Sequence, residues 1–140
     1  MPRRKTRAPK ARRKTNAVLI LSTVDDPLVA GRIAAALVEE GLAACVNVTG
    51  PIHSIYRWRG AVTTESEHLM LIKTRAALYA ALEQRLKELH PYEIPEIIGV
   101  ELWAGAKTYL DWLTQSTGNT GRTAAAAAQP SATSGRRSAT

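Results

Sequence analysis

The strands of this chain are apolar on consecutive residues, and that constrains the fold more than any other feature. Val18, Leu19, Ile20 and Leu21 follow one another without a polar interruption, as do Leu69, Met70, Leu71 and Ile72, and Ile97-Ile98 repeats the theme. Successive strand side chains point to opposite faces, so an unbroken apolar run leaves neither face for water. A sheet with one solvated face would alternate apolar and polar residues instead. Both faces of this sheet must therefore be covered by something.

The pattern along the chain reads as strand, helix, strand, strand, helix, strand, helix. Residues 17–22 predict the first strand. Asp25, Asp26 and Pro27 make a helix start, with a capping carboxylate and a proline in the first turn. Val29, Ile33, Ala36 and Leu37 recur at helical spacing, and Gly41 is placed to stop the helix. Residues 42–48 predict a second strand, interrupted at Gly50-Pro51 and continued over 52–58. Arg59-Gly60 is a tight-turn pair, and residues 61–74 return as the third strand. Leu78, Leu82, Leu86 and Leu89 form an amphipathic helix that His90-Pro91 ends. Residues 96–102 predict the fourth strand, and 106–113 a short last helix with Tyr109, Leu110 and Leu113 on one side.

A β-α-β-β-α-β order with a short C-terminal helix is the ferredoxin-like α+β arrangement, an antiparallel sheet with two helices on one face. Two helices cover one face only, and the last helix is too short to cover the other. The simplest cover is another copy of the same sheet, so the pattern predicts self-association. There is no Phe, so the core must be filled by Leu, Ile, Val and Ala.

Charge divides the chain into three parts. Residues 1–15 carry eight Lys and Arg and no acid, lack apolar periodicity, and are expected to be a disordered basic tail. Residues 16–117 hold eight bases against all twelve acids, a net charge of −4, and form the folded domain. Residues 118–140 are rich in Ala, Ser, Thr and Gly and are expected to be a disordered second tail. The overall charge of +7 thus belongs to the tails. The basic tail suits nucleic acid or an anionic surface, and a merely solubilising or accidental extension fits it equally well. The single cysteine, Cys45, allows no intrachain disulfide and predicts a reducing compartment. The longest early apolar run, Val18 to Leu21, is too short for a secretory core or a membrane span.

Several segments together look familiar. GLAACVNV (41–48), SIYRWRG (54–60), LIKT (71–74) and HPYEIPEI (90–97) stand in the order and spacing of CutA proteins, and WAGAKTYLDWL (103–113) resembles that family's closing segment. The resemblance covers about residues 17–115. It implies a cytoplasmic homotrimer of ferredoxin-like domains, linked to tolerance of copper and other divalent cations. In some members a copper site is formed by a cysteine ending the first strand and two adjacent histidines before a Pro-Tyr pair. The corresponding positions here are Ser22, Leu89 and His90, so His90 is the one candidate metal ligand that this chain retains.

The other potential soft or imidazole ligands are Cys45, Met70, His53 and His68. A two-residue turn at Arg59-Gly60 sets Met70 opposite Thr49, on the order of 13 Å along the strand from Cys45, too far to share an ion. The bland reading of His90 is a helix-ending side chain at the last carbonyls. HPYEIPEI has two readings. In the first, which is favoured, Pro91 and Pro95 fix the backbone and Tyr92 fills a gap. In the second, His90, Tyr92, Glu93 and Glu96 line a cleft between subunits, with Tyr56 and Trp58 from the neighbouring chain as an aromatic wall. Lys73 is counted with that cleft as a strand cation that needs a carboxylate partner if buried. No phosphate loop, serine nucleophile motif or paired-carboxylate signature appears, which argues against an enzyme. The alternative function is a trimeric module like the PII signalling proteins, binding a small effector or a protein partner at subunit clefts; that analogy rests on fold alone.

Overall fold

The computed structural model describes residues 15–118. β1 (Ala17–Val24) leads into α1 (Pro27–Glu39), β2 (Cys45–Trp58), β3 (Ala61–Arg75), a 3-10 turn (Ala76–Leu78), α2 (Tyr79–Leu89), β4 (Ile98–Glu101) and α3 (Lys107–Gln115). The strands form one antiparallel sheet in the order β2-β3-β1-β4. This is the α+β ferredoxin-like arrangement that the element order predicts. The expectations for residues 1–14 and 119–140 lie outside the described residues. Thr15, assigned to the basic tail, hydrogen-bonds through Oγ1 to the Leu102 carbonyl at 2.5 Å. Gly118, assigned to the C-terminal tail, donates its N–H to the Gly41 carbonyl at 2.8 Å.

Local chemistry sets the element ends. The Asp26 carboxylate accepts the Leu28 N–H at 2.8 Å and Pro27 opens α1, as expected. Gly41 takes a φ of 71°, and the N–H groups of Leu42 and Ala43 then close on the Leu37 carbonyl. Those residues cap the helix, so β2 starts at Cys45 and not at residue 42. β2 runs through Gly50-Pro51 as a single strand with a register shift between Val48 and Pro51, so the expected interruption is a bulge.

Arg59 and Gly60 take φ values of 49° and 81°, the two-residue turn whose twist suits a hairpin. The register set by that turn holds from Trp58↔Ala61 to Pro51↔His68, then slips by one residue. Met70 therefore faces Val48, not Thr49. β4 is shorter than the predicted 96–102, because Glu96 and Ile97 belong to the irregular segment after α2, where Pro95 has no N–H for a ladder.

The sheet has two different faces. Ile20, Val24, Met70 and Ile72 are fully buried under α1 and α2, against Ile33, Leu37, Leu82 and Leu86. Ser22 is buried on the same strand face, with its Oγ unpartnered. On the opposite face, the pairing places Leu19 beside Lys73 and Val100, and Leu21 beside Leu71 and Ile98. Cys45 and Asn47 of β2 complete the rows through Lys73 and Leu71. α3 closes one end only, burying Leu113 with Ala17 and Ala44. Leu19, Leu21, Leu69 and Leu71 are half-buried, while Ile98 and Val100 are 50% and 48% exposed. The apolar second face read from the strands is present, and the described residues leave it partly open.

Candidate functional site

An open cleft of about 700 Å³ lies between the β2–β3 hairpin and the segment that follows α2. One wall comes from Ser54, Tyr56 and Trp58 of β2 with Glu65 and Glu67 of β3. Pairing of Ser54 with Glu65, Tyr56 with Thr63 and Trp58 with Ala61 keeps these side chains on one face of the hairpin. Tyr92, Glu93, Ile94, Pro95 and Glu96 supply the other wall, and Thr23 and Asp25 at the end of β1 close the base. Pro91 and Pro95 fix φ on either side of Tyr92 and Glu93, which holds this wall without regular structure.

The cleft is acidic. Asp25, Glu65, Glu67, Glu93 and Glu96 line it, and Arg57 is the one base among the lining residues. Arg59 approaches Glu93 at 3.8 Å from the turn, but both side chains are exposed and the pair contributes little. Glu67 is only 5% exposed, and its Oε2 accepts the Tyr92 hydroxyl at 2.9 Å. Among the described residues Glu67 has no ion-pair partner.

Burial, and then the hydrogen bond to Glu67 and its charge, push the Tyr92 phenol well above its ordinary value. The Tyr56 phenol is also raised, first by its hydrogen bond to Glu65. Folded Tyr92 holds its proton more tightly than the unfolded chain does. Its contribution to stability is therefore full below the ordinary phenol value of 10 and is lost as pH rises above it, where the unfolded state ionises first. Phenolate absorbance followed against pH will show one of the four tyrosines ionising together with unfolding. In Tyr92→Phe that late step disappears. A late step that survives in Tyr92→Phe would contradict the assignment.

His90 lies behind the cleft wall and is buried. Its ring contacts the Thr23 carbonyl through Nε2 at 2.8 Å, and Nδ1 accepts the Tyr92 N–H at 3.1 Å. Nδ1 must be unprotonated to accept, so Nε2 carries the proton and donates to Thr23. The ring meets Tyr92 edge-on at 4.7 Å. The His90 backbone does close α2 on the Leu86 carbonyl, but the ring turns to β1, not to the helix carbonyls. A metal ion bound at His90 has to displace one of the two ring contacts.

Of the seven residues expected in a cleft, the structure brings together Tyr56, Trp58, Tyr92, Glu93 and Glu96, with Tyr56 and Trp58 coming from the same chain and not from a neighbour, because the β2–β3 hairpin stands beside its own segment after α2. Lys73 stands apart, on the open sheet face opposite Leu19 and Cys45, with Nζ 3.9 Å from the Cys45 Sγ. No carboxylate pairs with it among the described residues, because half-exposure makes such a partner unnecessary. Cys45 is half-buried on that face. Met70 is buried on the face opposite Cys45, so the two cannot share an ion. His53 is exposed, and His68 Nδ1 lies 2.9 Å from the Thr49 carbonyl. Among the described residues no three His, Cys, Asp or Glu converge to hold a metal ion. The oxygen donors of the cleft suit hard divalent ions or organic cations better than copper, which prefers nitrogen and sulfur.

Three carboxylates of the cleft are absent from the sequence reading of the site. Asp25 was read only as part of a helix start. Glu65 and Glu67 were passed over, although their spacing of two on a strand puts them on one face.

Fold and cleft together define a ferredoxin-like α+β protein with an acidic, aromatic-walled cleft at the hairpin end of an uncovered sheet. Sequence comparison gives its family: the model for "CutA1 divalent ion tolerance protein" matches residues 18–116. The divalent-cation tolerance protein CutA of Thermus thermophilus is 48% identical over 100 residues, which is 71% of this chain and 97% of that protein. The chloroplastic protein CutA 1 of rice is 40% identical over 71% of this chain and 56% of its own length. Among solved structures, the Thermus thermophilus protein superposes with a TM-score of 0.71 at 47% identity, covering 73% of this chain and 99% of the other. A structure described as the periplasmic divalent cation tolerance protein CutA of Archaeoglobus fulgidus matches at 35% identity and a TM-score of 0.70, over 71% and 97% of the two chains. The chain belongs to the CutA1 divalent ion tolerance family.

Proposed function

We propose that this chain is a non-enzymatic homotrimer that serves divalent-cation tolerance by holding cations weakly at acidic clefts between its subunits. One observation carries the reading: the sheet presents a row of apolar side chains, Leu19, Leu21, Leu71, Ile98 and Val100, that the other described residues leave half-buried or exposed. Closing that face with further copies sets each hairpin against a neighbour and completes the cleft. Three copies are what the family resemblance implies. The names of the relatives speak of tolerance and of no catalysed reaction. The lone, half-buried Cys45 favours a reducing compartment, the cytoplasm, for this chain. No helix among the described residues is long and apolar enough to cross a membrane.

Calorimetric titration with calcium, magnesium, manganese and copper(II) tests the site. Open carboxylate sites of this kind bind with dissociation constants of roughly 10⁻⁴ to 10⁻³ M. Binding is expected to weaken in Glu65→Gln/Glu96→Gln and to persist in His90→Ala. Tight copper uptake abolished by His90→Ala would overturn the carboxylate assignment.

The aromatic walls favour a second reading, a PII-like regulatory module that takes a small cationic effector in the same cleft. Tyr56, Trp58 and Tyr92 line the cleft beside the carboxylates, a combination suited to organic ammonium groups. Thermal shifts with a panel of amines and nucleotides separate the two readings.

A further inference from the structure

We propose that the basic N-terminal segment of this chain, through Arg3, Arg4, Lys5 and Arg7, occupies the acidic cleft. The proposal rests on the cleft being a cation site and names its occupant. Glu67 is the first argument. It is a 5% exposed carboxylate lining the cleft, with a tyrosine hydroxyl as its partner and no cation. A buried carboxylate is costly unless an opposite charge reaches it. The cleft sets five carboxylates against Arg57, and the folded domain as a whole is acidic. Arg59 meets Glu93 at 3.8 Å, and among the described residues no ion pair reaches Asp25, Glu65, Glu67 or Glu96.

The segment is its chemical complement. Residues 1–14 hold eight Lys and Arg and no acid. Guanidinium groups bind carboxylates through two parallel hydrogen bonds and stack on aromatic rings. Tyr56 and Tyr92 line the cleft beside Glu65, Glu67 and Glu96, and the Trp58 ring beside them already carries the Arg59 guanidinium at 5.5 Å.

Reach is sufficient. The chain is pinned at Thr15 beside Leu102, and Asn16 takes a φ of 63°, which turns the backbone out of the line of β1. β1 carries the chain from Ala17 to Thr23 at the base of the cleft, a span of roughly 20 Å. The stretch from Arg4 to Asn16 extends to about 40 Å. Residues 3–7 can therefore return to the cleft of their own subunit or reach that of a neighbour, while Arg12, Arg13 and Lys14 fall short.

The test uses the full chain. A nitroxide is placed at Thr6→Cys in a Cys45→Ser background, and broadening of backbone amides is mapped by NMR at low salt. Broadening is expected at Trp58, Glu93, Ile94 and Glu96. It should fade as salt shortens the Debye length from about 10 Å at 0.1 M to about 3 Å at 1 M. It should also weaken in Glu93→Gln/Glu96→Gln, whose substitutions are exposed and do not disturb the fold. Where labelling disturbs the protein, the unlabelled chain with Arg3, Arg4, Lys5 and Arg7 changed to Gln reads the same contact as shifts of the cleft amides. Cleft amides that stay sharp at low salt, or broadening that ignores the loss of the carboxylates, overturn the proposal. So does duplex DNA that binds the basic segment and leaves the cleft resonances unmoved, because the segment would then serve nucleic acid. Cation uptake by the cleft without any contact from the segment sinks this proposal alone.

Discussion

Leu71→Glu yields a folded chain that no longer assembles. Leu71 lies mid-row on the open sheet face, opposite Leu21 on β1 and Asn47 on β2, and Leu21 in turn faces Ile98. Its neighbours in sequence, Met70 and Ile72, point into the helix-covered core, so a glutamate at 71 leaves that core intact. In a single chain the new carboxylate sits at a half-buried, water-accessible position. In the assembly each copy would carry it into an apolar interface beside its symmetry mates. Desolvating an unpaired carboxylate costs several kcal/mol, and each 1.4 kcal/mol is a tenfold change in association. A loss of about three orders of magnitude follows for a penalty of roughly 4 kcal/mol. Light scattering is expected to give the 15.2 kDa mass of one chain, with circular dichroism close to the parent. A variant that retains the parent mass would remove this face from the assembly.

His90→Ala is the second large effect, and it falls on stability. The ring makes two hydrogen bonds, to the Thr23 carbonyl and from the Tyr92 N–H, and packs edge-on against Tyr92. Each bond contributes about 1 kcal/mol and the ring pair about 0.5–1.5 kcal/mol. Truncation also leaves the Thr23 carbonyl without its donor. A total loss of about 3 kcal/mol is expected, read as a lower urea midpoint with unchanged slope. Tyr92 loses its support at the same time, so its contact with Glu67 loosens and the cleft wall becomes less ordered. Divalent-cation uptake nevertheless persists, because the carboxylates remain. Unchanged stability with lost cation uptake would assign His90 to the metal instead of to the fold.

The architecture was legible because its signals are local and repeated. Asp26-Pro27, Gly41, Arg59-Gly60 and His90-Pro91 each end an element through backbone chemistry that acts within a few residues. The unbroken apolar runs at 18–21 and 69–72 announced a two-sided sheet, and the structure has one. Errors of detail came from competition between neighbouring signals. Residues 42–44 look like a strand, yet Leu42 and Ala43 give their N–H groups to the end of α1. Gly50-Pro51 looks like a break, yet a long antiparallel pairing absorbs it as a one-residue slip.

The site was legible only in part, for a physical reason. Tyr56, Trp58, Tyr92, Glu93 and Glu96 belong to compact motifs, and the structure gathers them. Asp25 and Glu67 reach the cleft by tertiary folding across β1 and β3, and no local pattern marks a buried glutamate. Lys73 was misplaced because its strand neighbours are apolar. Strand periodicity assigns it to the face it shares with Leu19, Leu71 and Cys45, not to the hairpin end.

The central claim is that copies of this chain cover the open sheet face and complete the clefts. The most direct measurement is the solution mass of the parent chain by sedimentation equilibrium at micromolar concentration. The account predicts three times the 15.2 kDa chain mass. The mass of a single chain would contradict it.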